Sequence, residues 1–173
     1  MPTVIIRPDA ISSDSGFDQT GSNLLSRIND NDTSTFVVNN TGTGTFTATL
    51  GNNDIYSGAT INNVVVSITG NTINVKVPEA DFEVRLLNAA ESVLQSSTLN
   101  FTPTESTQNG SEYSTSLTST VVDGFILTGT VETAGFILKE VFITVDYTAA
   151  AVTTPFIGMK SGKYKIVSGK VKI

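Results

Sequence analysis

The chain has 173 residues, enough for one domain with a real core and cramped for two. It contains no Cys and no His, which excludes disulfides, thiolate zinc sites, thiol nucleophiles and imidazole bases, leaving carboxylate, Lys, Tyr or hydroxyl chemistry. The net charge of −6 is unevenly held: residues 1–148 carry all 16 acidic residues and five basic ones, a net of −11, while five Lys and no acid follow Ala149.

With 26 Thr and 14 Asn, and few long helix formers, the composition favours strands and turns. MPTVIIRPDA lacks the basic start and long apolar run of a secretory signal. No stretch approaches the roughly 18 apolar residues of a membrane span, so a soluble, unsecreted chain is expected.

TVIIR (3–7) reads as a strand, with pairing inside its own sheet or with a neighbour left open. In NDNDTST (29–35), Asp30 and Asp32 supply oxygens of the kind a Ca²⁺ site uses, but the EF-hand's Gly and distal Glu are missing. A turn capped by short polar side chains is the favoured reading. After the turn NNTGTG (39–44), GTFTATL alternates, with Phe46, Ala48 and Leu50 on one side and Thr45, Thr47 and Thr49 on the other.

Beyond GNND (51–54), NVVVSIT predicts Val64, Val66 and Ile68 inward. A turn at TGN (69–71) then leads into TINVKV with Ile73, Val75 and Val77 inward. PEADFE gathers Glu79, Asp81 and Glu83 on the solvent face of an extended segment; with no second, separated carboxylate identified, catalysis is not expected there. FEVRLL places Phe82, Val84 and Leu86 inward.

LLNAAESVLQS tempts a helix through Leu86, Ala90 and Leu94, but the preceding alternation makes NAAES a polar hairpin connection. STQNGSE (106–112) and TAG (133–135) read as turns, and VFITVDY aligns Val141, Ile143, Val145 and Tyr147. The expected fold is all-β, an antiparallel sandwich, jelly-roll-like, over residues 1–148.

Residues 149–173 read as a linker, AAAVTTPFIGMK, and a basic arm, SGKYKIVSGKVKI, in which SGK-x-K-I occurs twice. KYKIV-SG-KVKI fits a two-residue hairpin that sets Ile166 opposite Val171 and Tyr164 opposite Ile173, with Lys165 facing Lys172. Opposed like charges and the weakness of an isolated hairpin mean that it needs a partner: an apolar groove, an acidic surface or an open sheet edge.

The expected partner-binding residues are Phe156, Lys160, Lys163, Tyr164, Lys165, Ile166, Lys170, Val171, Lys172 and Ile173. A tail folded back onto its own acidic body and a solvated tail are the other readings, the second disfavoured by the apolar residues. Nucleic acid is not expected as a partner, because the acidic body repels phosphates. TGTGTF and TAGF lack phosphate-loop context. The N-x-S/T triplets at Asn31, Asn39, Asn100 and Asn109 are expected by chance in so Asn- and Thr-rich a chain. No metal, cofactor or catalytic residue is expected.

LLSRINDNDTSTFVV (24–38), INNVVVSITG (61–70), FEVRLLNAAESVLQSSTLNFT (82–102) and ILKEVFITVDYT (137–148) together resemble tailed-bacteriophage virion proteins of the jelly-roll or carbohydrate-module-like sandwich type. The sequence departs from that pattern at Asn31-Asp32 and at Phe36. The resemblance implies a non-enzymatic virion component assembled in the host cytoplasm. Its leading form is a capsid decoration or cement protein, a homotrimer whose arm reaches the major capsid protein or a neighbouring subunit. The alternative is a receptor- or glycan-binding tail or fibre module, for which an exposed Tyr such as Tyr56 or Tyr113 is the candidate sugar contact.

Overall fold

The computed structural model describes residues 1–18, 24–40, 42–50, 58–73, 79–118 and 125–150. Its elements, in chain order, are β1 (Thr3–Ile6), β2 (Ala10–Ser15), β3 (Phe17–Asp18), α1 (Leu24–Ile28), β4 (Val37–Asn39), β5 (Gly44–Leu50), β6 (Thr60–Thr72), β7 (Ala80–Leu87), β8 (Val93–Phe101), β9 (Ser106–Asn109), β10 (Tyr113–Thr118), β11 (Phe125–Val131) and β12 (Phe136–Thr148). They form two antiparallel sheets packed as a sandwich. One runs β2-β5-β11-β7-β8, and the other β10-β6-β12-β4-β3, with β9 also on β6 and β1 also on β12. TVIIR therefore pairs within its own sheet, Thr3 opposite Asp146 and Ile6 opposite Ile143.

Period-two alternation sets the inward faces. Phe46, Ala48 and Leu50 are buried from β5, as are Phe82, Val84 and Leu86 from β7 and Val141, Ile143 and Val145 from β12. Five Phe rings join the layers: Phe17 lies 6.4 Å from Phe46, which lies 6.3 Å from Phe82, while Phe136 sits 5.1 Å from both Phe82 and Phe101. Such tilted contacts add to the large apolar area the rings remove from water.

The NAAES connection is a hairpin turn. Asn88 Oδ1 accepts hydrogen bonds from the Ala90 and Ser92 amides at 2.9 and 3.0 Å, and Glu91 takes a left-handed φ of 60°. That capping, together with the continued pairing of β7 with β8, defeats a helix here.

Three expectations about the strands are corrected. TGN is no turn: β6 continues through Thr69, Gly70 and Asn71 to Thr72. Gly70 is needed for close approach, since a Cβ there would stand 2.5 Å from the Ile137 carbonyl oxygen and 2.8 Å from the Phe136 ring. Of the inward set predicted after it, Ile73 does not face inward but is 51% exposed, and Val75 and Val77 lie outside the described residues.

STQN, expected as a turn, is the strand β9 on the outer part of β6. Cross-strand hydroxyl and amide bonds hold it, Ser67 Oγ to Asn109 Oδ1 and Thr69 to Thr107, each at 2.8 Å. The sequence reading also missed α1. Its one turn buries Leu24 and Ile28, an i, i+4 pair, at the edge of the core.

Candidate functional site

The outward face of the five-stranded sheet collects side chains that the chain disperses widely. One row across it is Ser15, Thr45, Thr130, Glu83 and Thr98. The next is Ser13, Thr47, Thr128, Arg85 and Ser96, and a third passes from Thr49 into the apolar run Ile126, Leu87 and Val93. Alternation explains the composition: every second residue of Thr-rich β5 and β11 must face water, and Thr suits an exposed strand position. The face is thus a lattice of hydroxyl groups with an aliphatic strip at one end. Among the described residues it carries no aromatic side chain.

Two depressions lie on this face. The larger, about 550 Å³, is lined by Glu79, Asp81, Glu83 and Glu132 together with Thr98, Asn100, Thr130 and Thr133. The smaller, about 440 Å³, is lined by Ser12, Ser13, Thr47, Thr49 and Thr128, with Leu87 and Ile126 as aliphatic floor and Glu91 at its margin. Asp81 and Leu87 are six residues apart on β7, so the depressions are separated by about 20 Å along the strands. Both volumes are of ligand-site size.

The carboxylates are unequal. Glu83 is tied to Arg85, whose Nε donates to Glu83 Oε1 at 2.8 Å, and Ser96 Oγ donates to the same oxygen at 3.3 Å. Asp81 accepts from Asn100 Nδ2 at 3.1 Å. Among the described residues no Arg or Lys ion pair reaches Glu79, Asp81 or Glu132. The depression therefore presents three carboxylates without a basic partner from the described residues.

The expectation that Glu79, Asp81 and Glu83 share a solvent face is met. Glu132 joins them from the turn that follows β11, and no local signal in the sequence could have found it.

NDNDTST forms the expected polar turn: Asp30 Oδ1 accepts from the Asp32 amide at 3.0 Å, and Asp32 Oδ1 from the Ser34 amide at 2.9 Å. Hydrogen bonds from the Ser34 side chain and then its amide hold the Asp32 carboxyl below its ordinary value. Among the described residues no cluster of acidic side chains has the form of a metal site.

Tyr113 is not the exposed sugar contact expected of it. It is half-buried and packs against the core, because its strand partner Val64 is an inward residue. Tyr56 lies outside the described residues, as does every residue expected to bind a partner, from Phe156 to Ile173.

No protein-family model matches the chain, and no curated protein matches it. Several solved structures resemble it at low identity. The C-terminal CBM6 of LamC, a marine laminarinase from Zobellia galactanivorans, is 12% identical, with a TM-score of 0.46 over 83% of this chain and 98% of that one. The isomalto-dextranase of Arthrobacter globiformis T6, complexed with panose, is 14% identical, with a TM-score of 0.45 over 83% of this chain. Truncated AlyQ, with CBM32 and alginate lyase domains, is 20% identical, with a TM-score of 0.45 over 87% of this chain. This chain spans 23% and 35% of the last two.

Proposed function

We propose that the chain is a non-catalytic binding module that recognises a neutral glycan on the outward face of its five-stranded sheet. One observation carries the reading: Ser and Thr hydroxyls of β2, β5, β11 and β8 line up in rows, interrupted at β7 by Glu83 and Arg85, and border a depression lined by Leu87 and Ile126. A pyranose has an equatorial rim of hydroxyls and an apolar C–H face, and this depression offers a matching partner to each. Glu91 at the margin of this depression opposes uronates and sialylated sugars by like charge, so the ligand is uncharged. The resemblance of four segments to tailed-phage virion proteins supplies a setting, a receptor-recognition module displayed on the particle.

Glycan-array screening of the full chain tests this, followed by calorimetry on the best ligand. Replacing Thr47 and Thr128 by Val removes two hydroxyls while keeping β-branched shape. It is expected to cost about 2 kcal/mol, or roughly 30-fold in affinity, at an unchanged melting temperature. Binding to no glycan, or unaltered binding by the double variant, refutes the reading. A second reading, capsid decoration through the C-terminal arm, is favoured by the division of charge between a body of −11 and a tail with five Lys and no acid.

A further inference from the structure

The carboxylate depression has features that the glycan reading leaves unused. Glu79, immediately before β7, and Asp81 and Glu83 within it succeed one another at period two, so their positions stand about 7 Å apart on one face. The C-terminal segment repeats the same period in the opposite charge, Lys163-x-Lys165 and Lys170-x-Lys172. An extended K-x-K segment laid along β7 therefore brings successive ammonium groups to successive carboxylates, and Glu132 flanks them from the β11–β12 turn. Three of these four carboxylates have no basic partner among the described residues, so such a segment does not displace an existing ion pair there.

Topology decides whose segment it is. The β11–β12 turn at residues 132–135 stands beside the depression, since Glu132 and Thr133 line it. From there β12 runs the length of the other sheet to Thr148, which pairs with Thr60, and Ala150 lies beside Gly58 at that far end. Thirteen residues of strand are about 40 Å, and crossing the sandwich adds about 10 Å. A 23-residue chain at coil dimensions spans about 27 Å. Lys163 and Lys165 would therefore reach their own depression only with the chain from Ala150 almost fully extended, and Lys170 and Lys172 only at about twice the coil span. The segment of a second copy meets no such demand.

We infer that the acidic depression of one copy receives the Lys163–Ile173 segment of another. Exit at one end of the sandwich and reception at the other make the contact head-to-tail, the arrangement that closes into a ring or extends along a lattice. This inference does not rest on glycan binding: association without a glycan ligand, and the reverse, are separate results.

The test uses the full chain, prepared with natural isotopes and with ¹⁵N and mixed in equal parts, then cross-linked with a zero-length carbodiimide. Expected are Lys-to-carboxyl links joining residues 163–172 to Glu79, Asp81 or Glu132, about half of them of mixed isotope. Light scattering should show an oligomer whose association weakens about tenfold or more as salt rises from about 0.1 M to about 1 M, where the Debye length falls from about 10 Å to about 3 Å. The Glu79→Gln, Asp81→Asn, Glu132→Gln variant should be monomeric, with the melting temperature of the parent. Links of one isotope only would place the segment on its own body and overturn the inference. A monomeric parent, links to other carboxylates only, or undiminished association of the triple variant would do so as well.

Discussion

Gly129 faces inward on β11, between Leu127 and Val131, where the alternation asks for a large apolar side chain. An Ala Cβ there would stand 2.4 and 2.7 Å from two carbons of the Phe46 ring and 2.7 Å from one of Phe82. Normal carbon contacts are about 3.5–4.0 Å, so each ring would have to retreat by about 1 Å. Neither has room: both are at most 1% exposed, Phe46 is braced by Phe17, and Phe82 by Phe101 and Phe136.

Overpacking of this kind costs about 1–3 kcal/mol, and the loss of glycine's unfolded-state freedom returns only about 0.4–1 kcal/mol. The net expectation for Gly129→Ala is about 1.5 kcal/mol of destabilisation, a fall of about 3–6 °C in melting temperature for a domain of this size. Thermal unfolding followed by circular dichroism measures it. The companion change Phe46→Leu should recover part of the loss, because the clash is with that ring, giving a coupling energy of about 1 kcal/mol in a double-mutant cycle. A neutral or stabilising Ala, or strict additivity with Phe46→Leu, would refute the packing argument.

Other perturbations probe separate parts of the structure. Asn39 is fully buried, and its Nδ2 donates to the carbonyls of Gly42 and Thr133, latching two turns together; Asn39→Ala should cost about 2 kcal/mol by chemical denaturation. Arg7 stacks over Phe142 and lies 4.0 Å from the carboxylate of Glu140, whose side chain is only 9% exposed. Arg7→Ala should therefore cost about 2–3 kcal/mol by leaving that charge uncompensated, and Glu140→Gln in the same chain should restore part of it. Asp32 has a lowered folded-state pKa, so the stability it lends its turn is present above the ordinary carboxylate range. That stability is lost as pH falls through the depressed value, and NMR of the Ser34 amide should show its chemical shift change there in the parent but not in Asp32→Asn.

Local chemistry made much of this protein readable. Alternation identified the inward residues of β5, β7 and β12 because a strand has only two faces, and one must be apolar. It likewise placed Glu79, Asp81 and Glu83 together, and the capping capacity of Asn88 and Asp32 marked their turns. What alternation cannot encode is who pairs with whom. The Gly in TGN signals a turn locally, yet the close approach of Ile137 and Phe136 from β12 makes it part of a long strand. Polar STQN reads as loop until β6 offers Ser67 and Thr69 to its side chains.

Tyr113 was equally free to face water or core until register set it opposite Val64. The carboxylate depression shows the same division. Three of its acids were legible within one short segment, but Glu132, some fifty residues away, arrives only because β11 pairs with β7. Side-chain character and spacing are written along the chain, whereas pairing between distant strands is chosen by the packing of both sheets around the Phe cluster.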